Sequence, residues 1–512
     1  MKHVSTSTQA EPSPPLLRAL RLGLFTQHEA IVFMRTDCHV CRSEGLRSRS
    51  QVVLCAGERE VYAILYQMEG DVIGHDEAAL SEAAWSRLGV KEGDVIHVRH
   101  PPESLSLSSV RRRIYGNRLD EAALRSIIDD IAAGHYTDVH MAAFLTASAA
   151  LPLDDTETIS LVRAMVDVGD KLSWSSPIVI DKHCVGGLPG NRTTPIIVAI
   201  AAASGLIMPK TSSRAITSPA GTADVMETLA PVNLDLATLR KVVEMEGGCV
   251  AWGGSVQLSP ADDLFIQIER ELDIDAEGQL IASVLSKKIA AGSTHVIIDI
   301  PVGPTAKVRT EDAAKRLALR LVSVGEHFGL KIRCMQTDGS QPVGRGVGPA
   351  LEAMDVLAVL QNTSDAPQDL RTRACQLAGA ALELAGAVSE GTGVKTAESV
   401  LKDGRAWAKF QRICEAQGGI RNPPKARLQH SITAVSAGSI VRINNRKIAK
   451  LAKLAGAPDV KAAGLQIHVK LGSKVKTGAP ILTVHADTTG ELAYALDYAR
   501  LNPDIVEISS SL

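Results

Sequence analysis

The spacing of hydrophobic and polar positions changes character several times along this 512-residue chain. Short β-rich runs predict strands at 30–34, 52–54 and 94–98. A Pro-Pro pair at 101–102 and a serine-rich stretch that ends at Ser109 then interrupt the pattern. We therefore expect an N-terminal β-rich domain over residues 1–103.

A helical period comes next. Apolar side chains recur at helical spacing through 119–133, and Gly134 ends the run. Similar spacing predicts helices at 138–149 and 156–168. These segments define a helical subdomain over about 107–172.

From Pro177 onward the pattern becomes a series of strand–loop–helix units, with strands predicted at 177–181, 206–208, 295–301 and 331–336. Strands that alternate with helices predict a mixed or largely parallel sheet in an α/β domain over about 173–425. This domain and the helical subdomain form a predicted catalytic core, 104–425. Ligands of such sheets bind at the carboxyl ends of the strands.

Residues 426–512 return to β character and predict a C-terminal α+β domain. Its extended runs on either side of Gly472–Gly478 resemble the barrel–sandwich shape of biotinyl and lipoyl carriers. The segment contains no convincing Met-Lys-Met-like attachment site. A structural role is therefore favoured over a carrier role.

Composition narrows the function classes. The net charge of −2, with 45% hydrophobic and 22% charged residues, gives no global attraction for nucleic acid or for an anionic membrane. No apolar run is long enough for a transmembrane helix, and the first 15 residues lack the apolar segment of a secretory signal. With dispersed cysteines, these features predict a cytoplasmic protein.

The closely spaced pair Cys38 and Cys41 could begin a metal site. Only Cys55 and His28 are nearby candidates for further ligands, and no second close pair completes a set of four. A loop with free thiols is the favoured interpretation, and we expect no metal.

Polar residues concentrate where the α/β strands end. The segment Asp181–Thr194 combines a lysine, several glycines and two threonines ahead of a helix, which is typical of an anion held near a helix N-terminus. The spacing of a P-loop is absent. A glycine-rich turn of this kind would by itself more often be structural.

Two further segments extend this pattern. Within Pro209–Glu227, five hydroxyl residues and Arg214 lie between a strand and a helix, and Thr222 adds a sixth hydroxyl. The segment offers donors for phosphate and for sugar hydroxyls. Asp224 and Glu227 either orient Arg214 and cap the helix or contact the substrate. Farther along, Ser283 and Lys287 are i, i+4 neighbours on a predicted helix, and Lys307 follows the next strand.

Taken together, these segments resemble the thymidine and pyrimidine nucleoside phosphorylase family. That family carries an Asp-Lys-His-Ser-x-Gly-Gly phosphate loop and a Ser-x-Arg…Gly-Thr-x-Asp-x-x-Glu signature, which this chain matches from Ser212 to Glu227. The resemblance runs from about residue 110 to the C-terminus. The longer N-terminal domain and the Ser213–Ser218 segment look closest to the AMP phosphorylase branch. Bacterial chains of this length are commonly named thymidine phosphorylases.

The resemblance implies a set of site residues. Asp275 matches the proton donor, and His183 matches a histidine that assists departure of the base. The implied phosphate-binding residues are Lys182, Gly186, Gly187, Thr194, Ser212 and Thr222. The implied nucleotide contacts are Gly187, Ser213, Arg214, Ala215, Ile216, Thr217, Ser218, Thr222, Ser283, Lys287 and Lys307. From the residues alone, Asp275 also fits a helix N-cap.

The implied reaction is phosphorolysis of a nucleoside 5′-monophosphate, AMP with CMP and UMP as further candidates, to free base and ribose 1,5-bisphosphate. Thymidine phosphorolysis to thymine and 2-deoxyribose 1-phosphate is the alternative. Inorganic phosphate is then a substrate, no cofactor is expected, and the family suggests at least a dimer. An anthranilate-type phosphoribosyltransferase and a non-enzymatic carrier or binding protein are remoter alternatives.

Two positions depart from the family pattern. Cys184 stands where both branches usually have serine, and a thiol is a weaker hydrogen-bond donor. Ile266 replaces a tyrosine with which the thymidine branch recognises its base, which weakens thymine as the expected base.

Overall fold

The computed structural model describes residues 16–215, 218–272, 274 and 276–509, and its first element is a closed β-barrel. The barrel has the strand order β1-β5-β2-β4-β3-β6 and is accompanied by helices α1 and α2. Closure leaves no strand edge unpaired. The elements are β1 Leu16–Leu24, β2 Ile31–Arg35, α1 His39–Ser43, β3 Gln51–Ala56, β4 Arg59–Met68, β5 Glu77–Ser81, α2 Glu82–Leu88 and β6 Val95–Arg99.

Cys38 and Cys41 lie in this barrel domain, where a short helix replaces the predicted loop. Cys38 precedes α1, and its Sγ accepts a hydrogen bond from the Cys41 amide at 3.2 Å. A hydrogen bond from the Cys41 thiol holds the pKa of Cys38 at about 6 and raises the pKa of Cys41 itself. The pair therefore serves as a cap for the helix.

The chain divides into two compact units. The first unit contains the barrel and consists of residues up to 112 together with 129–143. The second unit consists of residues 113–128 and of the chain from 144 onward. The helical segment contains α3 Ser106–Ile114, α4 Glu121–Ala132, α5 Asp138–Ala150 and α6 Asp155–Asp167. The sequence predicted the last three of these helices to within two residues at each end.

The α/β part is built on parallel strands. β11, β10 and β7 form one parallel sheet in that order, β8 pairs with β9 in parallel, and a parallel bridge from Val179 to Ile207 links the two groups. All five carboxyl ends therefore point the same way. The first elements are β7 Ile180–Cys184, α7 Thr194–Ala203, β8 Met208–Ser212, α8 Thr222–Glu227, α9 Leu236–Glu246, β9 Gly248–Trp252, α10 Pro260–Leu272 and α11 Glu277–Ala290.

Helix α7 shows why this part folds as it does. Its residues from Thr194 to Ala202 are buried, and an apolar surface on every side is typical of a helix inside a core. The remaining elements of this part follow in chain order. They are β10 His295–Val302, α12 Glu311–His327, β11 Lys331–Asp338, β12 Gly346–Val347, α13 Pro349–Leu360, α14 Gln368–Leu384, α15 Gly393–Lys402 and α16 Arg405–Ala416. Helices α13 to α16 pack on α7, and β10 and β11 belong to the parallel sheet.

The predicted positions of two strands were wrong by several residues. β7 covers 180–184 rather than 177–181, and β8 covers 208–212 rather than 206–208. Both strands end in polar residues, such as Lys182 and Lys210, that are buried because they have charged partners. A strand predicted from a run of apolar residues therefore ends before these lysines. Gly248–Trp252, which opens on a glycine, was also missed as a strand.

The C-terminal part packs directly on the α/β part. Strand β12 belongs by sequence to the α/β part, yet it completes the sheet β12-β15-β17-β13, while β16, β14 and β18 form another. The elements are β13 Leu428–Thr433, β14 Gly438–Ile443, α17 Asn445–Leu454, β15 Gly464–Ile467, β16 Lys474–Val475, β17 Pro480–Ala486, α18 Thr489–Leu501 and β18 Val506–Ser509.

The structure confirms the fold class, a helical subdomain with an α/β domain, an N-terminal β-rich part and a C-terminal α+β part. In the part of the chain that the structure describes, no helix combines the length and apolarity required to cross a membrane.

Gly348 joins β12 to α13 under a strict backbone constraint. It has a φ of +124°, and an added Cβ would lie 2.4 Å from the carbonyl oxygen of Ala463. We expect Gly348→Ala to lower the free energy of unfolding by about 3 kcal/mol, measured by urea denaturation. Gly472→Ala is the matched control, because Gly472 has a φ of +81° and faces open space, and we expect a cost of about 1–2 kcal/mol. Equal losses in the two variants would contradict the close approach at Gly348.

Candidate active site at the carboxyl ends of the parallel strands

Asp181 on β7 is the centre of a buried charge cluster. Its carboxylate accepts a hydrogen bond from Lys210 Nζ on β8 at 3.0 Å and one from Lys288 Nζ on α11 at 2.6 Å. All three residues are buried. One negative charge thus links two strands and a helix, and is shared by two ammonium groups.

Burial and charge compete within this cluster. Burial favours the neutral form of Asp181, but Lys210 and Lys288 outweigh it and lower its pKa. Burial, together with repulsion by Lys210, lowers the pKa of Lys288 to about 7 despite the attraction of Asp181. Lys288 can therefore take up a proton, and the cluster gain positive charge, when an anion binds nearby.

His183 lies two residues beyond Asp181 on the same strand. Burial, and then the charges of Lys288, Lys210, Lys287 and Lys182, hold its pKa well below its usual range. The imidazole is consequently neutral at neutral pH. A neutral imidazole can donate one hydrogen bond and accept another without adding charge.

Lys182 points to the loop that follows β7. Its Nζ donates to Thr193 Oγ1 at 2.9 Å and lies 3.8 Å from Asp299 Oδ2 on β10. Asn191 donates from Nδ2 to the same Asp299 oxygen at 3.2 Å and lies 3.5 Å from Cys184 Sγ. Asp299 therefore holds both ends of the loop.

The loop itself depends on glycine. Gly186 and Gly187 have φ values of +95° and +79°, and a Cβ on Gly187 would lie 2.3 Å from the Lys307 amide nitrogen. The backbone of the β10–α12 loop therefore lies directly against the loop after β7. Thr194 then begins α7, with Pro195 in its first turn, so the helix N-terminus faces this region.

Cys184 has a defined place in the site. Burial and the nearby Asp299 carboxylate raise the pKa of its thiol to about 12, so that it is a neutral thiol. In the usual serine's place, it receives a long contact from the Asn191 side chain. Its neutrality avoids a second negative charge beside Asp299.

The second predicted segment forms a loop that is fixed by carboxylates. Asp224 Oδ2 accepts hydrogen bonds from the amides of Ala215 at 2.6 Å and Gly221 at 2.9 Å. Glu227 binds Arg214 through both oxygens, at 2.7 and 2.8 Å, and the guanidinium stacks over Trp252 with 4.9 Å to the ring centroid. The orienting role expected for these two carboxylates is therefore confirmed.

The ends of this segment have their own partners. Arg192 donates to Thr222 Oγ1 at 2.6 Å and to the Ala220 carbonyl at 2.9 Å, while Glu352 on α13 holds its guanidinium at 2.9 Å. At the start, Ser212 ends β8 with its hydroxyl buried. Within the described residues, the Ser212 Oγ has no hydrogen-bond partner. It is therefore available to an anion.

The predicted residues of α11 face the same region. Lys287 forms a close ion pair with Asp262 on α10, and although burial opposes its charge, Asp262 and Asp263 raise its pKa. Ser283 lies one turn earlier on the helix and is half-buried. Lys287 is thus fixed by its ion pair near His183 and does not extend freely into solvent.

Some predicted residues lie outside the described part of the chain, namely Asp275, Ile216 and Thr217. Several further residues that hold the Asp181 cluster and the loops around it were not predicted from the sequence. Asp299 had a signal, because it is a lone carboxylate inside the apolar run of β10. Asn191, Arg192 and Lys210 lie within the polar segments singled out above, but no local pattern indicates their partners. Trp252, Lys288 and Glu352 lie outside those segments, and their partners are distant in sequence.

A cavity of about 840 Å³ lies elsewhere, between β11 and α14, with Arg333, Gln336 and Arg373 among its lining residues. It is distinct from the cluster around Asp181. The chemistry-bearing groups converge at the strand ends, and we assign the candidate site there on that ground.

Comparison with known proteins agrees with this geometry. Residues 108–169 match the helical bundle domain of a glycosyl transferase family, 176–407 match its α/β domain, and 439–505 match the pyrimidine nucleoside phosphorylase C-terminal domain. A protein of Chelativorans sp. (strain BNC1) named "Putative thymidine phosphorylase" is 67% identical over 98% of this chain and 99% of its own. One with the same name from Tolumonas auensis is 62% identical over the same shares.

Solved structures share the fold. An anthranilate phosphoribosyltransferase from Thermus thermophilus is 20% identical, with a TM-score of 0.50 over 60% of this chain and 99% of its own. The Saccharomyces cerevisiae enzyme of that name is 16% identical, with a TM-score of 0.50 over 62% and 98%. At these identities, the likeness is one of fold.

The low pKa of Lys288 leads to a prediction about anion binding. A bound dianion raises that pKa, so that binding between about pH 7.5 and 8 should take up a fraction of a proton per site. Calorimetry of sulfate binding in buffers of different ionisation enthalpy measures this uptake, because sulfate itself does not titrate there.

The variant Lys288→Met should still bind sulfate, more weakly and without proton uptake. Binding by the unsubstituted protein with no proton uptake would contradict the assignment of this lysine to the anion site.

Proposed function

Because the chain belongs to the thymidine and pyrimidine nucleoside phosphorylase family, we propose that it cleaves a nucleoside 5′-monophosphate with inorganic phosphate. The products are the free base and ribose 1,5-bisphosphate. AMP is the first candidate, followed by CMP and UMP. A thymidine phosphorylase activity is the second candidate, which the names of the relatives favour.

The observation that carries the proposal is the contact of Gly187 with the Lys307 backbone, which brings a second cationic residue to the phosphate loop. Lys182 supplies positive charge beside the loop after β7, and Lys210 and Lys288 supply it around Asp181 on the same strand. Lys307 is then the group suited to a further phosphate.

In the proposed reaction, a phosphate oxygen attacks the anomeric carbon while the base departs. Positive charge develops on the sugar and negative charge on the base. Lys182, the Thr194 region and the Ser212 hydroxyl hold the nucleophile in place. Neutral His183 can donate a hydrogen bond to the departing base. Protonation of the base by Asp275 would add about 10²–10⁴-fold.

Asp275→Asn tests the proposed acid. We expect a fall in kcat of at least about 100-fold with the fold retained, because the amide cannot deliver a proton. Asp312→Asn is a control at an exposed carboxylate on α12 and should leave kcat unchanged. Near-normal turnover by Asp275→Asn would remove this residue from the mechanism.

The substrate panel separates the two candidate activities. Base release is measured with AMP, CMP, UMP, thymidine and uridine, each with and without phosphate, and ³¹P NMR identifies the sugar phosphate formed. We expect release that depends on phosphate and is fastest with a nucleotide. Faster cleavage of thymidine than of any nucleotide would instead support the second candidate.

Lys307→Ala sharpens this test. If Lys307 binds the 5′-phosphate, the substitution should reduce kcat/KM for the nucleotide at least tenfold more than for the matching nucleoside, since a charge-assisted contact contributes about 1.5–3 kcal/mol. Equal losses on both substrates would count against a 5′-phosphate site at Lys307.

A further inference from the structure

Lys461, in the C-terminal part of the chain between α17 and β15, reaches two carboxylates of the candidate site. Its Nζ donates to Asp224 Oδ1 at 3.2 Å and lies 3.1 Å from Glu227 Oε2. Both acceptors lie on α8, more than 230 residues earlier in the sequence. The C-terminal part thus contributes a positive charge to the carboxylates that fix the loop after β8. The family resemblance implies nucleotide contacts in this loop.

The two carboxylates have different tasks, and Lys461 supports both. Asp224 fixes the backbone of the loop through the Ala215 and Gly221 amides, and Glu227 fixes Arg214. Hydrogen bonds from Arg214 and then from Lys461 hold the pKa of Glu227 at about 2, despite partial burial. Without the ammonium group, two neighbouring carboxylates would share one guanidinium.

The backbone around Lys461 is itself anchored to the α/β part. Its carbonyl accepts a hydrogen bond from the Ala350 amide at 3.0 Å, at the start of α13. The pairing of β12 with β15 lies beside it, with Val347 opposite Leu465. The Lys461 side chain therefore extends from a backbone segment that is fixed to α13 and β12. This favours a positioning role over a loose surface ion pair.

Helix α13 also holds the other end of the loop after β8. Glu352 lies one turn into α13, where it holds Arg192, and Arg192 in turn binds Thr222 and the Ala220 carbonyl. The loop is thus held by Lys461 through Asp224 and by Glu352 through Arg192. The buried phosphate cluster around Asp181 is held by other elements, β8 and α11.

We propose that Lys461 is a positioning residue through which the C-terminal part sets the affinity for the nucleoside or nucleotide, and not for phosphate. It acts through Asp224 and Glu227, which hold the Ala215 and Gly221 amides and the Arg214 side chain. This inference rests on the proposed function, because the resemblance that supports that function also implies nucleotide contacts in the loop after β8.

The kinetic test compares Lys461→Met with the unsubstituted protein on the substrate that the panel shows to be cleaved fastest. We expect the KM for that substrate to rise at least tenfold, while the KM for phosphate changes less than twofold. Lys461→Arg should restore most of the affinity, since a guanidinium can bind both carboxylates. Lys476→Met, at an exposed turn of the same part of the chain, should change neither constant.

A general loss of stability would lower the amount of folded protein and would not separate the two KM values. An equal rise in both KM values, or no rise in either, would overturn the proposal. Failure of Lys461→Arg to recover affinity would also count against it, because the charge would then not be the feature that matters.

Hydrogen exchange tests the positioning without any substrate. The Ala215 and Gly221 amides should exchange at least several-fold faster in Lys461→Met, and at the unsubstituted rate in Lys461→Arg and Lys476→Met. Unchanged exchange in Lys461→Met would overturn the positioning role. If the unsubstituted protein cleaves no substrate of the panel, the proposed function fails, and the exchange rates still decide whether Lys461 holds the loop.

Discussion

The candidate site depends on one buried carboxylate that is shared by two lysines. Asp181 brings Lys210 and Lys288 together from β8 and α11, and burial, reinforced by these charges, lowers the pKa of His183 so that it is neutral. Removal of one partner from such a buried network typically costs about 3–5 kcal/mol, because the remaining charges lose their compensation. The surplus of positive charge around Asp181 suits the end of β7 to the binding of an anion.

The rest of the fold holds the loops around that centre. Asp299 on β10 links Lys182 to Asn191, and Gly187 lies close to Lys307, so that the loop after β7 contacts the loop after β10. Farther out, Asp224 and Glu227 hold the loop after β8. Strand β12 and Lys461 then connect these groups to the C-terminal part, so that this part is integral to the site.

The sequence was most informative where the signal was local. Helical spacing identified α4 to α6 to within two residues, and the clustering of glycines and hydroxyl residues located the loops after β7 and β8. It was least informative where charge is buried. Lys182 and Lys210 interrupt the apolar pattern and displaced both predicted strands, and the partnership of Glu352 with Arg192 spans 160 residues. Such contacts arise from the tertiary fold and leave no short-range pattern.

The most direct test of the central claim is a crystal structure of the protein grown with phosphate. The account predicts phosphate at the end of β7, with oxygens within hydrogen-bond distance of Lys182, the Ser212 hydroxyl and the Thr194 amide. Phosphate bound elsewhere, with this position occupied only by water, would contradict the assignment of the attacking phosphate to the end of β7.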